Sequence, residues 1–187
     1  MVRKLFFLIF ILGCISCQFN RTNKQPNIIL FFVDDLGWQD TSVPFWDKVT
    51  PLNEKYKTPN MERLQAKGVK FTNAYSTPVC SPTRVSLITG MNAARHRVTN
   101  WTLYPDKKQP MELNHPTLDF PKWNFNGVTT DQEVEQAAYA TPLAQLLKDN
   151  GYYTIHAGKA HFGALGYSSE NPLNLGFNVN IAGHAAG

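Results

Sequence analysis

Pro26-Asn27-Ile28-Ile29-Leu30-Phe31-Phe32-Val33-Asp34-Asp35-Leu36-Gly37-Trp38 is the stretch from which the fold class is read. Ile28 to Val33 is apolar without alternation and is bounded by Pro and Asp. Such a run suits a strand buried on both faces of a parallel sheet. It ends in two adjacent carboxylates, Asp34 and Asp35, at the carboxyl end of a central strand, where open α/β sheets place their ligand sites. Neighbouring like charges repel, so a cation between them is expected, and hard oxygen ligands suit Ca²⁺ or Mg²⁺. A solvated Asp-Asp turn is the plainer reading of the same pair.

Outward from that stretch, residues 39–57 carry Pro44, Pro51 and three aromatics without a period, and read as an excursion over the active-site face. Thr58 as N-cap, Pro59 at N1 and Glu62 in the first turn then predict a helix that runs to about Lys67 and stops at Gly68. Val69 to Tyr75 alternates as a strand does. Next comes Cys80-Ser81-Pro82-Thr83-Arg84-Val85-Ser86-Leu87-Ile88-Thr89-Gly90. Ser81 is suited to the N-cap, Pro82 to N1 and Gly90 to the C-terminal stop. That places Cys80 just outside a helix N-terminus, where main-chain N–H groups and the dipole favour anions. Arg84, four residues on, can reach back toward it. Strand, helix, strand, nucleophile turn and helix make the beginning of an α/β fold.

The pattern returns later. Thr141 caps and Pro142 starts a helix with an apolar stripe of Leu143, Leu146 and Leu147, ended by Gly151. Tyr152 to Ala157 reads as a strand, which makes His156 a sheet residue. Gly158-Lys159-Ala160-His161-Phe162-Gly163 follows. Lys159 and His161 are two apart, so an extended backbone points both the same way. Lysine offers a point charge to an oxyanion, and histidine can donate to it or carry a leaving-group proton. Taken alone, Cys-x-Pro-x-Arg fits a buried structural cysteine better than a catalytic one, and Lys-x-His is a weak signal.

Three separated motifs in this order resemble the type I sulfatases of the alkaline phosphatase superfamily. The resemblance runs from about Asn27 to Gly187 and rests on Asp34-Asp35-x-Gly, on Cys80-x-Pro-x-Arg84 and on Gly-Lys159-x-His161-x-Gly. It implies a mixed, mostly parallel central sheet with helices on both faces, incomplete in this chain. It also implies that a maturation enzyme oxidises Cys80 to formylglycine, whose hydrate attacks the sulfur of a sulfate ester. By the same resemblance Asp34 and Asp35 hold Ca²⁺, Arg84 and Lys159 neutralise sulfate oxygens, and His161 hydrogen-bonds in the pocket. The substrate class is a sulfated carbohydrate. The family completes its metal site with an Asp-Asn pair well downstream and places a further lysine and a further histidine near the sulfate; nothing after His161 matches them, His184 included. Residues 27–187 are therefore expected to be the N-terminal part of a longer catalytic domain, inactive alone. Two rival readings stand: a phosphomonoester or phosphonate hydrolase of the same superfamily, and a surface lipoprotein that binds sulfated glycans without turnover.

The N-terminus points to export. Arg3 and Lys4 precede the apolar run Leu5–Leu12, which is too short to span a bilayer. Residues 1–17 look like a lipoprotein signal, with Cys14 or Cys17 as the lipidated residue, and 18–26 are a polar tether. The expected location is the periplasm or the outer-membrane surface, attached through the lipid. That leaves Cys80 as the lone cysteine of the folded part, out of three in the chain. The net charge of +4 is spread out, and no basic run interleaves with aromatics, so nucleic acid is excluded as a partner.

Two further regions are suggestive. Arg95, His96 and Arg97 follow the Cys80 helix, on a segment that lies near the substrate rim in many sulfatases; a solvated basic face is the stronger reading for each of them. Tyr104 to Thr130 is a long irregular segment with four prolines. Trp101 and Trp123 suit either stacking on sugar rings or anchoring that loop, and anchoring is the stronger reading. His115 carries no readable role.

Overall fold

The computed structural model describes residues 25–108, 115–118 and 122–186. The expected signal segment 1–17 and most of the expected tether lie outside the described residues. Chain contacts divide the protein at Val33/Asp34. In the first unit, Ile28 to Val33 forms no strand and its side chains are exposed, Ile29 at 88% and Phe31 at 86%. This corrects the expected central strand. A parallel strand exists only through hydrogen bonds to neighbours on the sheet, and this stretch belongs to neither sheet among the described residues.

The second unit begins with the excursion, which is more ordered than its sequence implies. Helix α1 (Pro51–Lys55) is closed by a reciprocal cap in which Thr50 Oγ1 accepts Asn53 N–H and Asn53 Oδ1 accepts Thr50 N–H. The buried Asn53 amide then donates to the Thr41 carbonyl at 2.8 Å. Helix α2 (Pro59–Lys67) starts after Thr58 and ends at Gly68, as expected. The Thr58 hydroxyl does not cap it; Ser42 N–H takes that oxygen at 2.9 Å, tying the excursion to the helix. Val69 to Tyr75 is not a strand, and Val69, Phe71 and Tyr75 are exposed.

Helix α3 (Cys80–Thr89) ends where expected, with Gly90 left-handed at φ 69° and its N–H on the Ser86 carbonyl at 2.9 Å. Its start is earlier than the cap chemistry predicts. Val79 is the N-cap, so Cys80 is the first helical residue and Pro82 the third. The bonds made by two first-turn hydroxyls explain the difference. Ser81 Oγ is taken by Thr102 N–H at 3.0 Å. Thr83 Oγ1 reaches back to the carbonyls of Thr77 and Val79 at 3.0 and 3.1 Å.

Helix α4 (Ala93–His96) follows, capped by the Asn92 side chain on Arg95 N–H. Strands β1 (Val128–Thr129) and β2 (Ala138–Tyr139) pair in parallel, Val128 opposite Ala138. Helix α5 (Leu143–Asp149) begins one residue later than expected, with Pro142 as N-cap. Its stripe is not a core face: Leu143 and Leu146 are exposed and Ala144 is buried. Strands β3 (Ile155–Ala157) and β4 (Val179–Ile181) form a second parallel pair. Their crossover holds two 3₁₀ turns, Ser168–Glu170 and Pro172–Leu175. The described part is thus α/β with parallel pairing, in two two-stranded sheets.

The core lies under α3. Val85 and Ile88 of that helix pack with Val98, Val128, Ala138, Ala160, Phe162 and Leu175. Full burial of a valine, leucine or phenylalanine stabilises by about 1.5–3 kcal/mol, so the helix that carries Cys80 is fixed by its apolar back. Residues 158–165 are held against this core through main chain. Gly158 N–H meets the Ile181 carbonyl, His161 N–H that of His184, Ala164 N–H that of Asn126 and Leu165 N–H that of Leu103, while the Phe162 carbonyl accepts Val128 N–H. Gly127 and Gly163 touch backbone to backbone: a Cβ on Gly127 would lie 2.3 Å from Gly163 Cα.

Candidate functional site

Four of the six expected site residues meet or neighbour one another. Arg84, on the second turn of α3, is 5% exposed. Its Nη2 lies 3.0 Å from Asp34 Oδ1, and its Nη1 donates to the Lys159 carbonyl at 2.6 Å. The Lys159 ammonium reaches the other carboxylate oxygen, Asp34 Oδ2, at 2.6 Å. Asp34 therefore holds two cations brought from 50 and 125 residues away. The Lys159 hydrogen bond is the leading cause that keeps the Asp34 carboxyl below its ordinary titration range; burial pushes the other way, and the hydrogen bond and charge of Arg84 help to outweigh it. Cys80 is half-buried, unpaired, and one helical turn from Arg84, so the two side chains share a face of α3.

His161 does not follow the expected geometry. The segment is a turn rather than an extended strand, with Gly158 at φ 95° and His161 itself left-handed at φ 50°. While Lys159 goes to Asp34, the His161 ring is 4% exposed and places Nε2 2.6 Å from the Thr102 carbonyl. Trp101 meets that ring edge-on at 6.2 Å. Burial lowers the imidazole pKa; the Thr102 carbonyl opposes this, and the charges of Lys159 and Arg84 add to it. The ring is accordingly neutral at pH 7.

The remaining candidates sort plainly. Asp35 is exposed and left-handed at φ 54°. His96 is buried and structural: Nδ1 accepts Val98 N–H at 3.0 Å and Nε2 pairs with the Ser86 hydroxyl at 2.8 Å, which locks α4 to α3. Arg97 donates to the Lys122 carbonyl. Trp123, 3% exposed against Phe125, anchors its loop, whereas Trp101 stays partly exposed beside His161. His156 lies in β3 with its ring between Phe162 and Phe177. Thr102 and Ser81 enter the site unforeseen. Thr102 contributes a main-chain oxygen, which any residue type would supply, so its role leaves no mark in the sequence.

The family model described as Sulfatase matches residues 26–186. The chain belongs to the sulfatase family. It is 32% identical to a sulfatase of Formosa agariphila over 85% of this chain and 27% of that protein. It is 31% identical to the human steryl-sulfatase, over 83% of this chain and 23% of the other. The same identity relates it to the human N-acetylgalactosamine-6-sulfatase, over 83% and 25%. The chain thus spans about a quarter of the length of these sulfatases.

Calcium in this sulfatase-family chain can be tested on the donors present. Two adjacent carboxylates are right in kind, but Ca²⁺ takes 6–8 oxygens, and both Asp34 oxygens are already engaged by cations. Among the described residues no group of three or more His, Cys, Asp or Glu could hold a metal. As they stand, these residues do not fit Ca²⁺.

Proposed function

We propose that the protein hydrolyses a sulfate ester on a sulfated carbohydrate, using a formylglycine made from Cys80 by a maturation enzyme. The observation that carries this reading is the convergence of Arg84 and Lys159 on the single carboxylate of Asp34, with Cys80 one turn from Arg84. Two cations gathered at one small oxyanion mark a place suited to another, and a sulfate group offers the same kind of oxygen. The sugar comes from the relatives named as N-acetylgalactosamine-6-sulfatases, from human and from Bacteroides thetaiotaomicron.

In this reading the aldehyde is hydrated to a geminal diol. One hydroxyl attacks sulfur, the bond from sulfur to the substrate oxygen breaks, and the alcohol leaves with a proton. The second hydroxyl then gives up its proton, the carbon–oxygen bond to sulfate breaks, and the aldehyde is restored. Arg84 and Lys159 offset the charge on the sulfate oxygens, which grows as the ester bond opens. Release of Lys159 from Asp34 accompanies sulfate entry. His161 takes part in proton handling in the same pocket. No step is routed through calcium.

We also propose that the fold completes as an alkaline-phosphatase-like sheet in which Ile28–Val33 finds strand neighbours. Export with a lipid on Cys14 or Cys17 is part of the same reading, supported by the basic start and short apolar run. Among the described residues no helix is long and apolar enough to cross a membrane.

The test is a mass spectrum of the Cys80 peptide from protein made in its native host. Formylglycine replaces the thiol sulfur with an aldehyde oxygen, lowers the peptide mass accordingly and reacts with hydrazides. An unmodified thiol in a host with an active maturation system overturns the catalytic reading and leaves a glycan-binding lipoprotein in its place.

A further inference from the structure

Ser81, between the cysteine and the proline of the motif, has no part in the chemistry above, yet it is fully buried. Its hydroxyl accepts Thr102 N–H at 3.0 Å and faces the Thr102 hydroxyl at 3.4 Å. Thr102, 1% exposed, presents its carbonyl to His161 Nε2 at 2.6 Å. A carbonyl oxygen only accepts, so Nε2 bears the proton. A neutral imidazole has one N–H, which leaves the lone pair on Nδ1. Nδ1 is buried and has no hydrogen-bond partner among the described residues. On the far side of Thr102, the Leu103 carbonyl takes Leu165 N–H at 2.9 Å. Thr102-Leu103 is therefore clasped between the first turn of α3 and the segment that follows His161.

We propose that Ser81 is a positioning residue that sets the tautomer of His161 through Thr102. The turn that carries Cys80 thereby dictates which imidazole nitrogen keeps its lone pair. With the Nε2 proton committed to Thr102, His161 can receive a proton at Nδ1 but has none to give there until it has done so. The ring has little freedom to escape this state: the main-chain N–H of His161 is bonded to the His184 carbonyl, and Trp101 closes one edge of the ring. The catalytic meaning of the tautomer rests on the sulfatase reading; the tautomer itself does not.

Long-range ¹H–¹⁵N spectra of histidine-labelled protein, at a pH above the imidazole titration, read the tautomer directly. The His161 signals are assigned by their loss in His161→Gln. The expected parent pattern has Nε2 protonated and Nδ1 bare. In Ser81→Ala the Nδ1 resonance shifts toward the average of two tautomers, and Ser81→Thr, which keeps a hydroxyl, restores the parent pattern. A parent His161 protonated at Nδ1 overturns the proposal, as does a folded Ser81→Ala protein with an unshifted pattern. If Ser81→Ala does not fold, Ser81→Cys, with nearly the same shape and a weaker acceptor, takes its place, and an unshifted His161 there overturns the proposal equally. Hydrazide reactivity of Cys80 is read separately. A pinned tautomer with unconverted Cys80 sinks the sulfatase reading alone, and the reverse result sinks only the role of Ser81.

Discussion

Replacing Asp34 by alanine removes the one carboxylate that joins Arg84 to Lys159. The Arg84 side chain is 6% exposed and that of Asp34 33%. Removing one partner of a fully buried ion pair costs about 3–5 kcal/mol, and of an exposed pair about 0.2–1 kcal/mol. The buried guanidinium pulls toward the first figure and the part-exposed carboxylate toward the second, so about 2 kcal/mol is expected. For a chain of this length that lowers Tm by roughly 4–8 °C. Calorimetry on Asp34→Ala, Lys159→Ala and the double variant closes a cycle. The Lys159 arm, with side chains 25% and 33% exposed, should couple by only about 0.5 kcal/mol. The variant also carries its own control. With the carboxylate gone, inorganic sulfate should take its place between Arg84 and Lys159 and raise Tm in Asp34→Ala far more than in the parent. A variant within about 0.5 kcal/mol of the parent, with no differential response to sulfate, refutes the argument that Asp34 occupies an anion site.

Other perturbations have equally definite outcomes. His96, His156 and His161 all have imidazole pKa values lowered from 6.5, with burial the leading cause. As pH falls below about 6.5 the unfolded chain takes up these protons first, so stability should decline from there down to the folded-state values, by about 1.4 kcal/mol for each unit of difference. Denaturant melts from pH 7.5 to 5 read this, and a flat profile contradicts it. Gly90→Ala, with open space around a left-handed glycine, should cost about 1 kcal/mol. Gly163→Ala, whose Cβ would lie 2.0 Å from Ser169 Oγ and 2.6 Å from the Asn126 carbonyl oxygen, should cost more than about 2 kcal/mol; equal losses in melts of the two would refute the close-contact argument. Calcium or a chelator should leave the Tm of this chain unchanged, because the Asp34 oxygens are taken; a chelator-induced drop would show that Asp34 and Asp35 bind metal after all.

Local chemistry was the legible part of the sequence. Thr58-Pro59, Pro142 and Gly90 announce helix ends through side-chain and φ preferences that act within a few residues, and those ends lie within a residue of their places. The motif residues Cys80, Arg84, Lys159 and Asp34 were readable as a set, and three of them are in direct contact. What failed depended on distant partners. Ile28–Val33 and Val69–Tyr75 are hydrophobic enough for strands, but apolarity reports what must be buried and not which neighbour will do it. The α3 start moved because Thr102 N–H, 21 residues on, claims the Ser81 oxygen that capping would have used. The turn at His161 was hidden because a left-handed histidine obeys main-chain bonds to His184 rather than any preference of its own.

Residues 158–165 are moored largely by peptide groups, to which the Lys159–Asp34 and His161–Thr102 side-chain bonds add. Chemistry and scaffold therefore part company at 159 and coincide at 161. The Lys159 side chain is a quarter exposed, so its charge can be altered at little cost to the ribbon beneath it, whereas the buried His161 and the close-packed Gly163 are bound up with the shape of the loop. Along this loop, a substitution map would show a structurally permissive position two residues from an intolerant one, although both carry chemistry. Stability screens would then report on 161 and stay silent about 159, where only an assay of function registers the loss.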